Sequence, residues 1–192
     1  MRTPMIDVDT IREDVYRIYG PATALGGRQL WFQIFRLAWE DPIFFRILVL
    51  RHYQWSRRKG VSNFPLMKIA NFRLKAYIEI NTLSIGPGLR IYHGDGIVIA
   101  SGAVIGRGMT LEHQVTIGNR IGHEGELGCP TIGDDVFIGV GAKVLGAIHI
   151  GNNVRIGANA VVLHDVPNDA TVVGIPGKVV RIAGACPAET DT

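Results

Sequence analysis

Residues 132–161 read IGDDVF IGVGAK VLGAIH IGNNVR IGANAV, five hexapeptides that each begin with isoleucine or valine. Glycine follows that aliphatic residue in most of them, and a second small or aliphatic residue stands four places after it. An α-helix repeats near 3.6 residues and a plain strand at 2, whereas a short strand followed by a turn can repeat at six. The spacing therefore predicts a β-solenoid with three hexapeptides per coil and the aliphatic residues stacked inside.

The same spacing extends toward the N-terminus and is interrupted once. Ile99, Ile105, Leu111 and Ile117 are six residues apart, and Ile85 and Ile91 continue the pattern with a two-residue slip before Ile99. From Ile117 to Ile132 is fifteen residues, three more than the twelve of two whole units. The intervening NRIGHEGELGCP (119–130) is polar and glycine-rich, so we expect part of it to leave the solenoid as a functional loop.

The composition divides the chain into two differently built segments. Of 192 residues, 47% are hydrophobic and 19% charged, which excludes a disordered chain. Residues 1–75 hold 13 Lys/Arg against 6 Asp/Glu and 4 of the 24 glycines, while residues 76–192 hold 7 basic against 11 acidic residues. We expect a helical N-terminal region (1–75), a solenoid domain (76–181) and a C-terminal tail (182–192).

Cellular location is predicted from what the sequence lacks. Two cysteines, Cys129 and Cys186, are too few for a disulfide framework or a four-thiolate zinc site, which favours a reducing compartment. No run of 18 apolar residues is present, and the start MRTPMIDVDT has acids where a secretion signal has an apolar core. These features predict a cytoplasmic protein, and no nucleic-acid motif accompanies its basic residues.

The front segment carries helix signals. Thr10 and Glu13 form a capping-box pattern, and Gly20 ends that helix. Asp41-Pro42 begins another helix, which ends at Arg57-Arg58-Lys59 and Gly60. The basic end has two interpretations: cations that complement the helix dipole, or a patch that meets the inner face of a membrane.

Several motifs together resemble a known family. The repeat, the polar excursion and the ending GIPGKVVR (174–181) resemble the hexapeptide-repeat acyltransferases. EINTLSIGPGLRIYHGDGIVI (79–99), VTIGN (115–119) and residues 138–167 look like serine O-acetyltransferases, and most like their relatives from exopolysaccharide and colanic-acid gene clusters. The resemblance implies a mainly β, left-handed parallel β-helix behind N-terminal helices. It also implies a homotrimer, alone or paired with a second trimer, with acetyl-CoA in the groove between neighbouring subunits.

The resemblance assigns two catalytic residues. His93, in IYHGDG, aligns with the family's catalytic histidine and would take the proton of the acceptor hydroxyl as general base. Glu79 stands near the family's aspartate that orients this imidazole, although it is one methylene longer and the intervening segment is one residue shorter. Asn81 is the alternative orienting residue.

The resemblance also assigns the cofactor site, with no metal. The oxyanion donor would be a backbone N–H near Gly118 and Asn119. Backbone around Val140, Gly141, Ala142 and Ala158 would line the pantetheine arm of acetyl-CoA. Lys178 and Arg181 would meet its phosphates, or else would be ordinary solvated cations.

The acceptor prediction comes from departures from the serine acetyltransferase pattern. An Arg-His pair that grips the serine carboxylate is replaced by Gly128-Cys129, and the acid before the catalytic histidine is replaced by Tyr92. We therefore expect a sugar hydroxyl of a polysaccharide or its precursor, with Tyr92 stacking on the ring. Asp95, His113 and Asn119 would bond hydroxyls, and Cys129 would line the site. Serine is the competing acceptor.

Two functions of other classes stay open at this point. A zinc-dependent hydratase would bind zinc through His93, His113 and His123, although the spacing of these histidines does not match that family. A non-catalytic solenoid would only assemble a complex. Release of free thiol from acetyl-CoA distinguishes an acyltransferase from both.

Overall fold

The computed structural model describes residues 8–20, 27–60, 78–121 and 127–182, and three helices open it. They are α1 (Val8–Tyr19), α2 (Gly27–Glu40) and α3 (Pro42–Lys59). Asp41 caps α3, because its Oδ1 accepts hydrogen bonds from the N–H groups of Ile43 (2.8 Å) and Phe44 (3.2 Å). Gly60 ends α3 in the left-handed region, with φ 68°. The predicted bounds of α3 are confirmed.

The start of α1 differs from the sequence-based expectation. The helix already includes Val8, so Thr10 lies in its first turn and the predicted capping box is wrong. Asp9 occupies this first turn and pairs with Arg12 at 3.1 Å, an acid placement that the helix dipole favours. The predicted end is confirmed, since Gly20 has φ 81° and its N–H donates to the Tyr16 carbonyl.

The rest of the described chain is a parallel β-solenoid of about five coils with three sheets. Sheet 1 contains β1 (Ile78–Ile80), β4 (Ile97–Ile99), β7 (Thr116–Gly118), β12 (Lys143–Leu145) and β15 (Val161–Val162). Sheet 2 contains β2 (Ser84–Ile85), β5 (Val104–Ile105), β10 (Thr131–Ile132) and β13 (His149–Ile150). Sheet 3 contains β3 (Arg90–Ile91), β6 (Thr110–Leu111), β11 (Phe137–Ile138), β14 (Arg155–Ile156), β16 (Ala170–Val173) and the antiparallel β17 (Lys178–Ile182). The predicted β-helix is confirmed.

The hexapeptide positions form the core of this solenoid. The aliphatic residues of successive coils stack in register, as Ile99 does on Ile117 and Ile105 on Ile132, and all of them are buried. Coil backbones approach closely at the turns: a Cβ added to Gly106 would lie 2.7 Å from the carbonyl carbon and oxygen of Gly133. Burial of one aliphatic side chain per strand, at about 1.5–3 kcal/mol each, therefore stabilises the stack.

The interruption of the repeat is larger than its spacing suggests. Ile117 lies on sheet 1 and Ile132 on the adjacent sheet 2, a step that takes six residues from Ile99 to Ile105. Fifteen residues therefore contain nine extra ones, not three. Two strands of this excursion, β8 (Arg120–Ile121) and β9 (Leu127–Gly128), pair antiparallel outside the three sheets, which confirms the predicted loop.

The helices pack on the first coil and share its core. Ile47 and Leu50 of α3 belong to the same buried cluster as the solenoid aliphatics. A buried ion pair joins α1 to α3, with Arg51 Nε 2.7 Å from Asp14 Oδ2. Both side chains also bond the first coil, since Arg51 donates to the carbonyls of Ile85 and Gly86 and Asp14 accepts from the N–H of Gly88 and Leu89.

The predicted division at residue 75 falls between described segments, in residues 61–77, and stays a prediction. Cys186 and most of the predicted tail also lie outside the described residues. Among the helices that the structure describes, none is both long enough and apolar enough to cross a membrane.

Candidate active site

The turns from sheet 3 to sheet 1 form a continuous ridge, here called the histidine corner (residues 92–96, 112–115, 139–142 and 157–160). Backbone hydrogen bonds connect its turns, from Gln114 N–H to Asp95 O (2.7 Å), from Gly141 N–H to His113 O (3.0 Å) and from Asn159 N–H to Val140 O (2.8 Å). The corner therefore places two histidines at one end and small side chains at the other.

His93 lies on the longest of these turns. Eight residues separate Ile91 from Ile99, whereas six separate Leu111 from Ile117 and Ile138 from Val144. The two extra residues explain the slip seen in the repeat. His93 is exposed and takes a left-handed conformation, with φ 52°, that non-glycine residues adopt rarely. The chain thus holds one imidazole outside the core at a strained turn.

The residue after His93 is held by a helix. A Cβ added to Gly94 would lie 3.1 Å from Cγ1 of Ile43 and would also collide with Ile78. Glycine at this position therefore lets α3 approach the turn that carries the histidine. The N-terminal helical region therefore helps to position the turn that carries His93.

His113 lies beside His93. Their ring centroids are 5.8 Å apart and the rings are nearly perpendicular, at 87°. Nδ1 of His113 is buried and has no hydrogen-bond partner among the described residues. The sequence left open whether His113 faces the cleft or a packed neighbour, and the structure places it against His93.

Glu79 lies on the outer face of sheet 1, in register with Val98 and Thr116. Its Oε1 accepts a hydrogen bond from Nδ2 of Asn81 at 2.9 Å, so the two candidate orienting residues contact each other. Within the described part of the chain, neither side chain hydrogen-bonds His93. The orienting role of Glu79 stays a prediction.

Arg46 of α3 was not singled out from the sequence and lies next to Glu79. Its Nη2 donates to the carbonyl of Ile78. Partial burial lowers the pKa of Arg46, and the charge of Glu79 opposes that effect. No local pattern connects residue 46 with residue 79, because the contact depends on how α3 docks on the first coil.

Tyr92 and Asp95 flank His93 at the same corner. The guanidinium of Arg90 lies over the Tyr92 ring, with Cζ 4.3 Å from its centroid. Asp95 is exposed, and its N–H donates to the His93 carbonyl at 2.7 Å. Arg90 was also not singled out, although alternation along the chain places residues 90 and 92 on the same side, opposite to Ile91.

The predicted pantetheine residues lie on the same ridge. Val140 and Gly141 are partly exposed, Ala142 is buried and Ala158 is exposed. The side chains accessible here are small, so an extended chain could approach the coil backbone. The contact of these residues with the pantetheine arm of acetyl-CoA stays a prediction.

Asn119 and Cys129 lie at a different corner, the turn from sheet 1 to sheet 2, here called the loop corner (residues 100–103, 119–121 and 127–130). Gly118 is the last residue of β7, directly before this corner. The N–H of Asn119 makes no backbone hydrogen bond to any described residue. Cys129 is partly buried, and a Cβ added to Gly102 would lie 2.9 Å from its Sγ. The width of sheet 1 separates this corner from His93 within one chain.

The remaining predicted site residues lie apart. Lys178 and Arg181 are exposed on β17, beyond the last coil. His123 is outside the described residues. In the described ranges, no three His, Cys, Asp or Glu side chains are grouped as metal ligands.

Comparisons with known families and solved structures agree with the β-helix fold. Residues 129–164 match the family model for bacterial transferase hexapeptide (six repeats). A structure of Neisseria gonorrhoeae serine acetyltransferase is 30% identical and has a TM-score of 0.66, covering 94% of this chain and 67% of that chain. The chain belongs to the hexapeptide-repeat transferase family.

Curated relatives in this family are serine acetyltransferases. That of Synechococcus elongatus is 40% identical over 144 residues, which cover 74% of this chain and 59% of the relative. That of Staphylococcus aureus is 43% identical over 137 residues, which cover 71% and 63%. The chain thus spans about three fifths of their length. The comparisons point to serine acetyltransferases, so the resemblance to exopolysaccharide O-acetyltransferases is corrected.

Proposed function

We propose that this protein transfers an acetyl group from acetyl-CoA directly to the hydroxyl of serine. The observation that carries the proposal is His93, an exposed imidazole held in a left-handed turn on a ridge of small residues. The similarity of the chain to serine acetyltransferases supports serine as the acceptor. The predicted sugar hydroxyl becomes the alternative, and polysaccharide biosynthesis has no support from these relatives.

His93 would act as the general base. A neutral imidazole accepts the proton of the serine hydroxyl as the oxygen attacks, then passes it to the departing thiolate. Glu79 lies on the adjacent sheet face and Asn81 hydrogen-bonds it. A shift of the Glu79 side chain toward His93 would fix the tautomer of the ring, as carboxylates do for catalytic histidines.

Acetyl-CoA supplies the thioester carbonyl. The N–H of Asn119 is directed to no described acceptor, which suits a donor to the developing oxyanion. Val140, Gly141 and Ala158 would contact the pantetheine arm, and Lys178 and Arg181 would contact the phosphates as the nearest exposed cations after the last coil.

A complete site would need two subunits. In one chain, His93 lies in a turn before the strands of sheet 1, and Asn119 lies in a turn after them. The loop corner of a neighbouring subunit would therefore face the histidine corner. This requirement supports the predicted homotrimer, in which each groove between subunits holds one acetyl-CoA. The paired trimer and the cytoplasmic location stay predictions.

The acceptor test uses purified protein, acetyl-CoA and a thiol reagent. We expect thiol release that depends on added serine, with O-acetylserine as product. Thiol release only with nucleotide sugars or oligosaccharide fragments would instead support a saccharide acceptor, the alternative that Tyr92 and Cys129 suggested. No release with any acceptor would support the scaffold, and loss of activity with a chelator would support the zinc enzyme.

A further inference from the structure

Three cations next to the histidine corner, Arg46, Lys143 and Arg90, differ in whether their N–H donors already have acceptors. Nη2 of Arg46 donates to the Ile78 carbonyl, and Lys143 Nζ donates to the Gln114 carbonyl at 2.5 Å. Arg90, by contrast, has neither an ion pair nor a hydrogen bond from its guanidinium to any residue that the structure describes. Of these three cations, Arg90 is therefore the one whose donors are free to bind a ligand.

The orientation of Arg90 is set by an aromatic ring. Its guanidinium stacks 4.3 Å from the centroid of Tyr92, the residue directly before His93. Stacking on a ring holds the planar group in place and leaves its N–H donors at the edge, where a carboxylate binds in bidentate fashion. The strand thus presents a fixed anion-binding fork two residues from the turn that carries the base.

Carboxylates at the same corner provide the opposite charge. Asp95 follows His93 by two residues, and Glu112 lies beside Tyr92 on the next coil, where the Tyr92 N–H bonds the Leu111 carbonyl at 2.8 Å. Arg90 forms no ion pair with either of them. A ligand with a carboxylate and an ammonium group would find both complementary charges around His93.

We propose that Arg90 binds the carboxylate of the acceptor and so selects an amino acid over a neutral alcohol. This inference rests on the proposed function, because it needs serine as the acceptor. The two residues directly before Pro130 are Gly128 and Cys129, and neither is basic, so Arg90 would supply the cation from another element.

The same chain contains a matched control. Arg155 stacks on Phe137, with Cζ 5.4 Å from the ring centroid, on the same outer face of sheet 3. Arg155 and Arg90 are thus both arginines over an aromatic ring on one sheet. Of the two, only Arg90 stacks on the residue directly before His93.

The experiment compares serine with serinamide, which keeps the hydroxyl and the ammonium but lacks the carboxylate. At saturating acetyl-CoA, we expect Arg90→Gln to raise the KM for serine at least about tenfold, since a charge-assisted hydrogen-bond pair is lost. The KM for serinamide should be the same in wild type and Arg90→Gln. Arg90→Lys should give an intermediate KM for serine, and Arg155→Gln should match wild type with both acceptors.

The outcomes separate the two proposals. An unchanged KM for serine in Arg90→Gln, or equal losses with serine and serinamide, would overturn the role of Arg90 and leave the proposed function standing. A wild-type protein that acetylates no serine would overturn both. An unchanged KM for acetyl-CoA in Arg90→Gln shows that the variant is folded.

Discussion

His93, the proposed general base, has a left-handed backbone conformation. Within the described ranges, the other non-glycine residues with positive φ are mostly Asn and Asp, which tolerate this region: Gln114, Asp135, Asn153, Asn159 and Asp169. Their side chains or neighbours support the turns between coils, as Asn153 does by bonding Asp169 at 2.7 Å. His93 has no such bond among the described residues, so its strained turn is explained better by function than by folding.

His93→Asn tests this residue without disturbing its turn. Asparagine accepts a left-handed backbone but offers no base of suitable pKa. We expect kcat to fall by about 10²–10⁴-fold, with the thermal melting curve unchanged. His164→Asn, at an exposed position away from the corner, is the control and should keep full activity. Turnover within a factor of two of wild type in His93→Asn would remove His93 from its assigned role.

Helices α1 and α3 are attached to the solenoid through one buried polar cluster. The side chains of Arg51 and Asp14 are 2% and 0% exposed, and each bonds backbone groups of the first coil. Burial raises the pKa of Asp14, and the Arg51 guanidinium and the N–H groups of Gly88 and Leu89 oppose that rise. This cluster positions α3, and with it Ile43 and Arg46, against the turn that carries His93.

Removing either partner of this pair should be costly. We expect Asp14→Asn and Arg51→Met each to lower the free energy of unfolding by about 3–5 kcal/mol, because a buried charge is left unpaired. The double variant should lose less than the two single losses combined. Urea denaturation measures all three. Arg36→Gln, which breaks an exposed 3.7 Å pair with Glu40, should cost less than about 1 kcal/mol. Additive losses at positions 14 and 51 would show that the two charges are not coupled.

At the scale of the whole molecule, the proposed site would need more than one chain, because its two corners are separated. His93 and Asn119 lie at opposite edges of sheet 1, and both are proposed to act on the same acetyl group. We therefore expect a homotrimer of about 63 kDa, three times 21.0 kDa, in analytical ultracentrifugation. An active monomer would contradict this arrangement.

Subunit mixing tests whether the site lies between chains. His93→Asn lacks the base, and Asn119→Pro lacks the proposed N–H donor, so each homotrimer should be inactive. Trimers reassembled from both variants should regain part of the activity, because one groove then combines an intact histidine with an intact loop. Mixtures as inactive as the separate variants would place the whole site in one chain.

Much of the fold and part of the site follow from local patterns. The six-residue period predicts the solenoid because each aliphatic position is buried by the same step in every coil, and Asp41-Pro42 and Gly60 specify α3 through caps that involve only neighbouring residues. His93 is conspicuous because the repeat slips by two residues around it. The loop at 119–130 is visible for the same reason, although counting residues alone underestimated its excess.

The other features come from contacts between residues distant in the chain. The number of extra residues between Ile117 and Ile132 can be counted only when the sheet of each is known. The structure also places Cys129 at a different corner from His93. Arg46 reaches Ile78, and Arg51 joins Asp14 to the first coil, through docking that no local spacing encodes. Periodicity reports which face of the chain is buried, since that depends on neighbours in sequence. Which charges meet at the site depends on how the helices pack, and only the tertiary structure contains that information.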